Sequence, residues 1–491
     1  MEQQESNAHK VIKGASSQTV VTIVQALVEI ISFSIMSRLL TETDFGYYAA
    51  MTAIAVVFSA LSETGIGSAV IQRKDLDENY VNNAFTLSFL VGLVLTGLLC
   101  LFSGILAKSV ADVSMQIPLM IYSTTIFLGC YSSVDFSILQ RELRLYQLGL
   151  TRIIPQVVST IIAIIMAIKN YGYYSILAKT VLAALLTSVM ARILVKTKYH
   201  FALDKSTIGQ IFNFSGWLMF SSLFRKVSDQ IDRLLMTSLF SLNTLGLYSR
   251  PKDFITEISD KCGSIYDTVL FPVLSGVQDD KERMKSAYEY SLYFLNLLAM
   301  IVMLILLFNS ELVIRVFFGE KWMHVNTLFI ILSFSVIGFF NGRTSDIYLR
   351  SLGMTKQQFY FRIAQFVITT AFIVLGSRFG INAVAVAFIL SYMLIVVAKM
   401  IIISRHIGLS FGLSVSYTFS AYKLLLLLIP LYIVLQCFLP NVLWGNIVKC
   451  SIFVIVMVLC FFVFPSTVGS YYKSNGYNNL MAFIRTKILK Q

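Results

Sequence analysis

The sequence predicts an all-α polytopic membrane protein, and three observations lead to this fold class. The 491 residues are 57% hydrophobic and 13% charged, with a mean hydropathy of +0.75, whereas a soluble domain carries about 25% charged residues. Apolar runs of about 20 residues, long enough to cross a ~30 Å hydrocarbon core as helices, recur along the chain. These runs are too long for the short alternating segments of a membrane β-barrel, so helices are favoured over strands.

The apolar runs predict about fourteen transmembrane helices joined by short loops. No small-residue cleavage pattern follows the first run, so an uncleaved first span is expected rather than a signal peptide. The predicted spans are 18–38, 46–70, 83–107, 115–138, 148–168, 173–195, 210–239, 244–271, 288–309, 325–348, 358–377, 380–403, 419–438 and 443–464.

Lysine and arginine gather in the loops on the amino-terminal side of the membrane, for example Arg141, Arg144, Lys196 and Lys198. Cytoplasmic loops of membrane proteins carry such an excess of Lys and Arg. The protein is therefore predicted to lie in a bacterial-type inner membrane with both termini in the cytoplasm. The same distribution explains the net charge of +13. Binding of nucleic acid is not expected, because no soluble basic domain is present to carry it.

The chain repeats itself at an offset of about 200 residues. Ser37-Arg38-Leu39-Leu40 with Gly46-Tyr47-Tyr48 matches Asp232-Arg233-Leu234-Leu235 with Gly246-Leu247-Tyr248, Leu139 to Arg152-Ile153 matches Leu349 to Arg362-Ile363, and Tyr171-Gly172 matches Phe379-Gly380. Six spans in each copy is an even number, so the copies are expected to be parallel, related by an axis along the membrane normal.

The repeat predicts two parallel six-helix lobes followed by two carboxy-terminal helices. The predicted organisation is a cytoplasmic leader at 1–17, an amino-terminal lobe at 18–205, a carboxy-terminal lobe at 206–405, two extra transmembrane helices at 406–464 and a basic amphipathic cytoplasmic tail at 465–491. Two such lobes around a cavity would suit alternating access.

Several charged side chains fall inside predicted spans, where a charge at mid-membrane costs several kcal/mol unless it faces protein or water. Guanidinium and ammonium groups in a wet cavity would bind phosphate oxygens. The candidates for binding an anionic group are Arg225, Lys226, Arg233, Arg250, Lys252, Lys261, Arg152, Lys179 and Arg343. The candidates for a coupling proton or sodium ion are Asp229, Asp232, Asp346, Glu29 and Glu63. The alternative is that these residues are buried ion pairs and snorkelled helix ends that hold the bundle together, and Arg152 lies near a cytoplasmic end.

Motifs of enzymes and metal sites do not appear in the sequence. There is no nucleophile elbow, P-loop or zinc signature, and the six cysteines form no CxxC pair. Asp75-Leu76-Asp77 resembles the metal-binding DxD of glycosyltransferases, but it lies in a short basic loop where capping is the simpler interpretation. The chain is therefore predicted to be neither an enzyme nor a metalloprotein, with no cofactor beyond a coupling proton or sodium ion.

The stretch from Arg38 to Ala50 (RLLTETDFGYYAA) and that from Glu63 to Lys74 (ETGIGSAVIQRK) resemble the polysaccharide-export branch of the multidrug/oligosaccharidyl-lipid/polysaccharide flippase superfamily. The likeness is to Wzx-type proteins of the colanic-acid and teichuronic-acid exporter group, and it covers essentially the whole chain. It implies a flippase that moves undecaprenyl-pyrophosphate-linked oligosaccharide units across the inner membrane for surface polysaccharide biosynthesis, without ATP hydrolysis. A polysaccharide polymerase and glycosyltransferases are the partners it implies, besides membrane lipids.

Two other functions compete with this interpretation. A drug/cation antiporter of the same superfamily would need an acidic cavity, whereas the spans hold more basic than acidic groups around the centre. A membrane-bound polymerase or ligase would need a sizeable outer loop with catalytic carboxylates, and the predicted outer loops are short.

Overall fold

A computed structural model of the chain describes residues 2–62, 65–73, 75–110, 113–275, 281–422 and 425–438, with a few positions between 445 and 455. Glu63, most of the predicted fourteenth span at 443–464 and the tail at 465–491 lie outside the described residues. All secondary structure in the described part is helical. The predicted fold class is confirmed.

Helices of the first half follow the predicted spans closely. They are α1 Glu2–Leu39, α2 Glu42–Ser62, α3 Ile66–Gln72, α4 Glu78–Val110, α5 Gln116–Arg141, α6 Leu145–Ile168, α7 Tyr174–Val195 and α8 Lys205–Leu239, with a 3-10 turn at Val113–Met115. Helix α1 begins at Glu2, so the predicted leader at 1–17 is a helical continuation of the first span.

The second half is more interrupted than its apolar runs suggest. It comprises α9 Leu242–Ser275, α10 Lys281–Phe308, α11 Ser310–Val313, a π-helical turn Ile314–Phe318, a 3-10 turn Glu320–Val325, α12 Asn326–Ser333, α13 Ser335–Ser351, α14 Thr355–Ser377, α15 Ile381–His406, α16 Phe411–Tyr422 and α17 Leu425–Phe438. The predicted tenth span is thus divided between α12 and α13, and helix appears at Phe411, before the predicted thirteenth span begins.

Ten helical stretches in the described part of the chain are long and apolar enough to cross a membrane. They correspond to the predicted first to sixth and ninth to twelfth spans. Helices α8 and α9, the predicted seventh and eighth spans, are not among them, because charged and polar side chains dilute their apolar stretches.

The chain folds as two compact units. The first comprises the residues up to Pro251 together with Val316–Val325 and Arg362–Phe388, and the second comprises Lys252–Arg315, Asn326–Phe361 and the described residues from Ile389 onward. In the first unit α6 packs against α1 and α7, while α8 packs against α2, α3 and α4. In the second unit α10 packs against α13 and α16. The division into lobes at 205/206 stays a prediction.

Equivalent turns make the repeat visible in the backbone. Between α5 and α6 the chain reverses at Leu143 with φ 55°, and between α13 and α14 it reverses at Gly353 with φ 69°. Each turn closes with the same helix-ending hydrogen bond, from Arg144 N to Leu139 O in one copy and from Met354 N to Leu349 O in the other. A left-handed residue followed by a new helix therefore recurs at matching positions of both copies.

Candidate functional site

A polar cluster lies among three membrane-spanning helices of the first unit. Gln156 Nε2 on α6 donates to Glu29 Oε2 on α1 at 3.0 Å, and Lys179 Nζ on α7 donates to Ser32 Oγ at 2.8 Å. Lys179 Nζ also lies 4.0 Å from Glu29 Oε1. The glutamate side chain keeps 41% of its surface exposed, so this α1–α6–α7 polar cluster (Glu29, Ser32, Gln156, Lys179) is open to a ligand.

The structure brings together two residues that the sequence had placed in different roles. Lys179 was a candidate for the anion and Glu29 for the coupling ion, and they are neighbours although 150 positions separate them. Gln156 was missed. The signal available was the single amide of the predicted span 148–168, because a polar side chain in lipid costs free energy unless it finds a partner.

Arg152 lies one helical turn before Gln156 on α6, on the same side of the helix. Its side chain is exposed, and among the described residues it makes no hydrogen bond or ion pair. A guanidinium presents five donors in a fixed fork. Arg152 is therefore a cation beside the α1–α6–α7 polar cluster whose donors remain available to an anion.

Arg362, the repeat counterpart of Arg152, is engaged instead. Its Nη1 donates to Asp229 Oδ1 on α8 at 3.2 Å, and only 12% of the arginine side chain is exposed, against 44% for the aspartate. Its Nη1 also donates to Gln365 Oε1 at 3.3 Å. The predicted coupling candidate Asp229 is thus a partner of an arginine that sequence reasoning left among the loop charges.

The charged residues of α8 become more buried toward the carboxy-terminal end of the helix. Arg225 and Asp229 are exposed and Lys226 is half-buried, whereas Arg233 is buried. Asp232 is fully buried, and its Oδ2 accepts a 2.8 Å hydrogen bond from the hydroxyl of Tyr248 on α9.

Arg250 has its donors engaged by α1. Its Nε and Nη2 donate to Ser37 Oγ at 3.0 and 2.8 Å, and Nη2 donates to the carbonyl of Phe33 at 2.8 Å. The guanidinium carbon lies 3.3 Å from the ring centroid of Phe33 and 4.2 Å from that of Phe45. In this conformation Arg250 fastens α9 to α1 and offers few donors to a ligand.

Near Arg250, at the carboxy-terminal end of α1, the two copies of the repeat cross at glycines. A Cβ added to Gly46 would lie 1.8 Å from the carbonyl oxygen of Leu242, and one added to Gly246 would lie 1.8 Å from that of Glu42. Only residues without a side chain permit so close an approach of two backbones. We call this contact the glycine crossing.

The segment 316–325 packs on the same end of α1. Arg38 Nη2 donates to the carbonyl of Val316 at 2.8 Å, and Trp322 Nε1 donates to that of Ser37 at 2.9 Å. The Trp322 side chain is fully buried. Side chains thus satisfy the backbone carbonyls of Ser37 and Val316 and fasten the segment 316–325 to this end of α1.

In the second unit the predicted charges are paired. Arg343 Nη2 contacts Asp260 Oδ1, and Lys261 Nζ lies 3.0 Å from Glu257 Oε1. Asp346 Oδ1 accepts from Lys399 Nζ at 2.7 Å. Lys252 is buried. Lys399 was counted among loop charges in the sequence, and its burial beside Asp346 became visible only in the fold.

The Asp75-Leu76-Asp77 loop borders a cavity of about 580 Å³ together with Ile138, Arg141 and Glu142. Arg141 Nη1 donates to the carbonyls at the end of α3, including that of Val70 at 2.9 Å. Within the described residues no group of three or more histidine, cysteine, aspartate or glutamate side chains could hold a metal ion. The arginine thus ties down the end of α3 before the loop, while the interpretation of the two aspartates as capping residues stays a prediction.

A family model described as polysaccharide biosynthesis protein matches residues 35–327. The chain belongs to this family. The matched part includes α2 to α10 and the helices that carry Gln156, Lys179 and Asp229. The resemblance drawn from the sequence is confirmed.

Individual relatives are distant. The lipopolysaccharide biosynthesis protein WzxC of Escherichia coli (strain K12) is 20% identical over 318 residues, which span 64% of each chain. A putative O-antigen transporter of Shigella flexneri is 28% identical over 68% of this chain and 83% of its own. The chain thus spans less than two thirds of the length of WzxC.

Among solved structures, the lipid II flippase MurJ in an inward closed conformation superposes with a TM-score of 0.73 at 13% identity, covering 91% of this chain and 98% of its own. At this identity the match concerns the fold alone. It confirms the multi-pass helical fold.

Proposed function

We propose that this protein is a secondary transporter that flips undecaprenyl-pyrophosphate-linked oligosaccharide units across the cytoplasmic membrane for surface polysaccharide biosynthesis. Membership of the polysaccharide biosynthesis family supports a role in this pathway class. Both termini lie in the cytoplasm in this proposal, as the distribution of basic loop residues predicts. In this proposal glycosyltransferases act before it and a polymerase acts after it on the same lipid-linked units.

One observation carries the proposal: a cation with available donors stands beside a polar cluster inside membrane-spanning helices. Arg152 lies one turn from Gln156, whose amide contacts Glu29 beside Lys179. An anionic phosphate would gain charge-assisted hydrogen bonds from both Arg152 and Lys179, each contributing about 1.5–3 kcal/mol. Oligosaccharide hydroxyls would find hydrogen-bonding partners in Gln156 and Ser32.

Carboxylates beside these cations provide the coupling step of the proposal. Glu29 is close to Lys179 and partly exposed, so protonation of Glu29 or binding of sodium would change the charge that the phosphate meets. Asp229, Asp232 and Asp346 are occupied by Arg362, Tyr248 and Lys399 in this conformation. Among the predicted coupling residues that the structure describes, Glu29 is therefore the preferred one.

The test is flipping of a fluorescent lipid-linked oligosaccharide by purified protein in liposomes. The double variant Arg152→Gln, Lys179→Gln should lose roughly tenfold or more of the rate, because each lost charge-assisted bond contributes about 1.5–3 kcal/mol. Lys169→Gln is the matched control, since Lys169 is exposed just beyond the opposite end of α6.

Wild-type flipping by a folded double variant would contradict the proposal. Transport of a cationic drug in place of the lipid substrate would instead favour the antiporter.

A further inference from the structure

The segment between α7 and α8, residues 196–204, leaves α7 at Lys196 with φ 58°, forms no helix and lies against α4. Backbone N–H groups of alternate residues donate to α4 side chains: His200 N to Asn82 Oδ1 at 3.0 Å, Ala202 N to Thr86 Oγ1 at 3.1 Å and Asp204 N to Asn83 Oδ1 at 2.7 Å. In extended backbone every second residue faces the same way, so one helix face can satisfy this row of donors. We call residues 196–204 the strap.

A second anchor joins the strap to a carboxylate inside the bundle. Asp135 on α5 is fully buried, and its Oδ1 accepts a 2.7 Å hydrogen bond from the Tyr199 hydroxyl. Its Oδ2 lies 3.4 Å from Arg192 Nη2 at the end of α7. A buried carboxylate is tolerated only when it keeps such partners, so Asp135, Arg192 and Tyr199 depend on one another.

Aromatic rings enclose this anchor. The guanidinium of Arg192 lies 4.3 Å from the ring centroid of Tyr199 and 4.6 Å from that of Tyr131. The ring of Tyr199 stacks on Phe85 of α4 with centroids 4.4 Å apart. Burial, followed by the charge of Asp135, raises the pKa of Tyr199, so the hydroxyl stays a donor at neutral pH.

The strap leads directly into the cap of α8. Asp204, whose N–H is held by Asn83, accepts hydrogen bonds at Oδ2 from Thr207 N at 3.0 Å and Thr207 Oγ1 at 2.6 Å. These bonds lower the pKa of Asp204, with the hydroxyl of Thr207 as the main cause. The start of α8 is thereby fastened to α4 through a single residue, and α8 packs further against α2, α3 and α4.

We propose that Asp135, Arg192 and Tyr199 are positioning residues for transport, which keep the strap fixed on α4 so that the amino-terminal half of α8 moves with α4, α5 and α7 throughout the cycle. This inference rests on the proposed transport function. It identifies 196–204 as a fixed connection at the boundary between the two predicted lobes.

Cysteine cross-linking in a cysteine-free background tests the fixed strap. The pair Thr86→Cys, Ala202→Cys joins the strap to α4. The comparison pair Thr43→Cys, Asn243→Cys joins two turns whose side chains lie 3.4 Å apart near the glycine crossing. Linking the strap should leave at least half of the flipping rate. Because alternating access requires the two copies of the repeat to separate, linking the turns should reduce the rate tenfold or more, and reduction should restore it. Loss of flipping on linking the strap, recovered by reduction, would overturn the proposal.

The rate at which a water-soluble maleimide labels the single variant Ala202→Cys measures how accessible the strap is, without any transport assay. This rate should be the same in idle and in transporting liposomes. Tyr199→Phe or Asp135→Asn should raise it at least fivefold, and flipping per folded molecule should fall, while the thermal midpoint also drops because a buried partner is lost. Faster labelling during transport, or raised labelling in Tyr199→Phe with undiminished flipping, would overturn the proposal. A wild-type protein that flips nothing refutes the transport function, while the labelling rates still report whether the strap is fixed.

Discussion

At the glycine crossing the two copies of the repeat make the same contact in both directions, whereas at Arg152 and Arg362 they differ. Gly46 and Gly246 each meet a carbonyl of the other copy at the same distance. Arg152 is exposed beside a polar cluster, while Arg362 is mostly buried against Asp229. The repeat thus keeps symmetry where helices cross and loses it at Arg152, where we propose that an anion binds.

The glycine crossing and the two arginines are under different physical constraints. A close helix crossing requires the absence of a side chain on both partners, so neither copy can diverge without moving the other. An arginine inside a span needs an anion, which a neighbouring helix or a ligand can supply. In the second copy Asp229 on α8 supplies the anion, and in the first copy we propose that a ligand supplies it.

The largest effect is expected on reversing the charge of Arg152. Arg152→Glu should lower flipping of the lipid-linked oligosaccharide by about 10- to 100-fold, since it removes a charge-assisted bond of about 1.5–3 kcal/mol and adds repulsion. The yield of folded protein should stay normal, because the residue has no partner among the described residues to lose. Liposome flipping and gel filtration measure the two quantities. A normal flipping rate would remove Arg152 from the site.

Substitution at the glycine crossing should be equally damaging from either copy. Gly46→Ala and Gly246→Ala each place a methyl group within 1.8 Å of a carbonyl oxygen, and overpacking of this kind costs about 1–3 kcal/mol. Thermal unfolding in detergent, followed by intrinsic fluorescence, should show similar losses for the two variants. Gly209→Ala is the control, because nothing lies within 4 Å of its added Cβ. Unequal losses would show that the crossing is not symmetric in energy.

A smaller effect is expected at Arg362, and it should concern stability. Arg362→Ala breaks a half-exposed pair with Asp229 and should cost about 1 kcal/mol. The double variant Arg362→Ala, Asp229→Asn should cost less than the sum of the single changes, as expected for residues in contact. Additive losses would indicate that the pair does not interact energetically.

The smallest change in stability is expected for Glu29→Gln, because the amide still accepts from Gln156 and the ion pair with Lys179 is long at 4.0 Å. Its loss should cost no more than about 1 kcal/mol. The dependence of flipping on an imposed proton or sodium gradient should nevertheless disappear, since the amide cannot ionise. Unchanged gradient dependence would assign coupling to another carboxylate.

Much of this architecture follows from the sequence by itself. Apolar length predicts spans because lipid leaves backbone groups no partner outside a helix, and α4 to α7 match their predictions within a few residues. The repeat is visible in short matching segments such as that from Leu139 to Arg152, in which local backbone preferences determine the turn. The family was also evident from the residues of α2 and α3.

Only the tertiary structure decided which charge meets which partner. Lys179 meets Glu29 across 150 positions and Asp229 meets Arg362 across 133, and no local spacing encodes such pairs. Helical periodicity gives the face on which a side chain lies, but the packing of other helices determines whether that face meets an acid, a ring or an open surface. For this reason the sequence identified the charged residues, while the fold separated Arg152, which remains open to a ligand, from Arg250 and Arg362, which hold helices together.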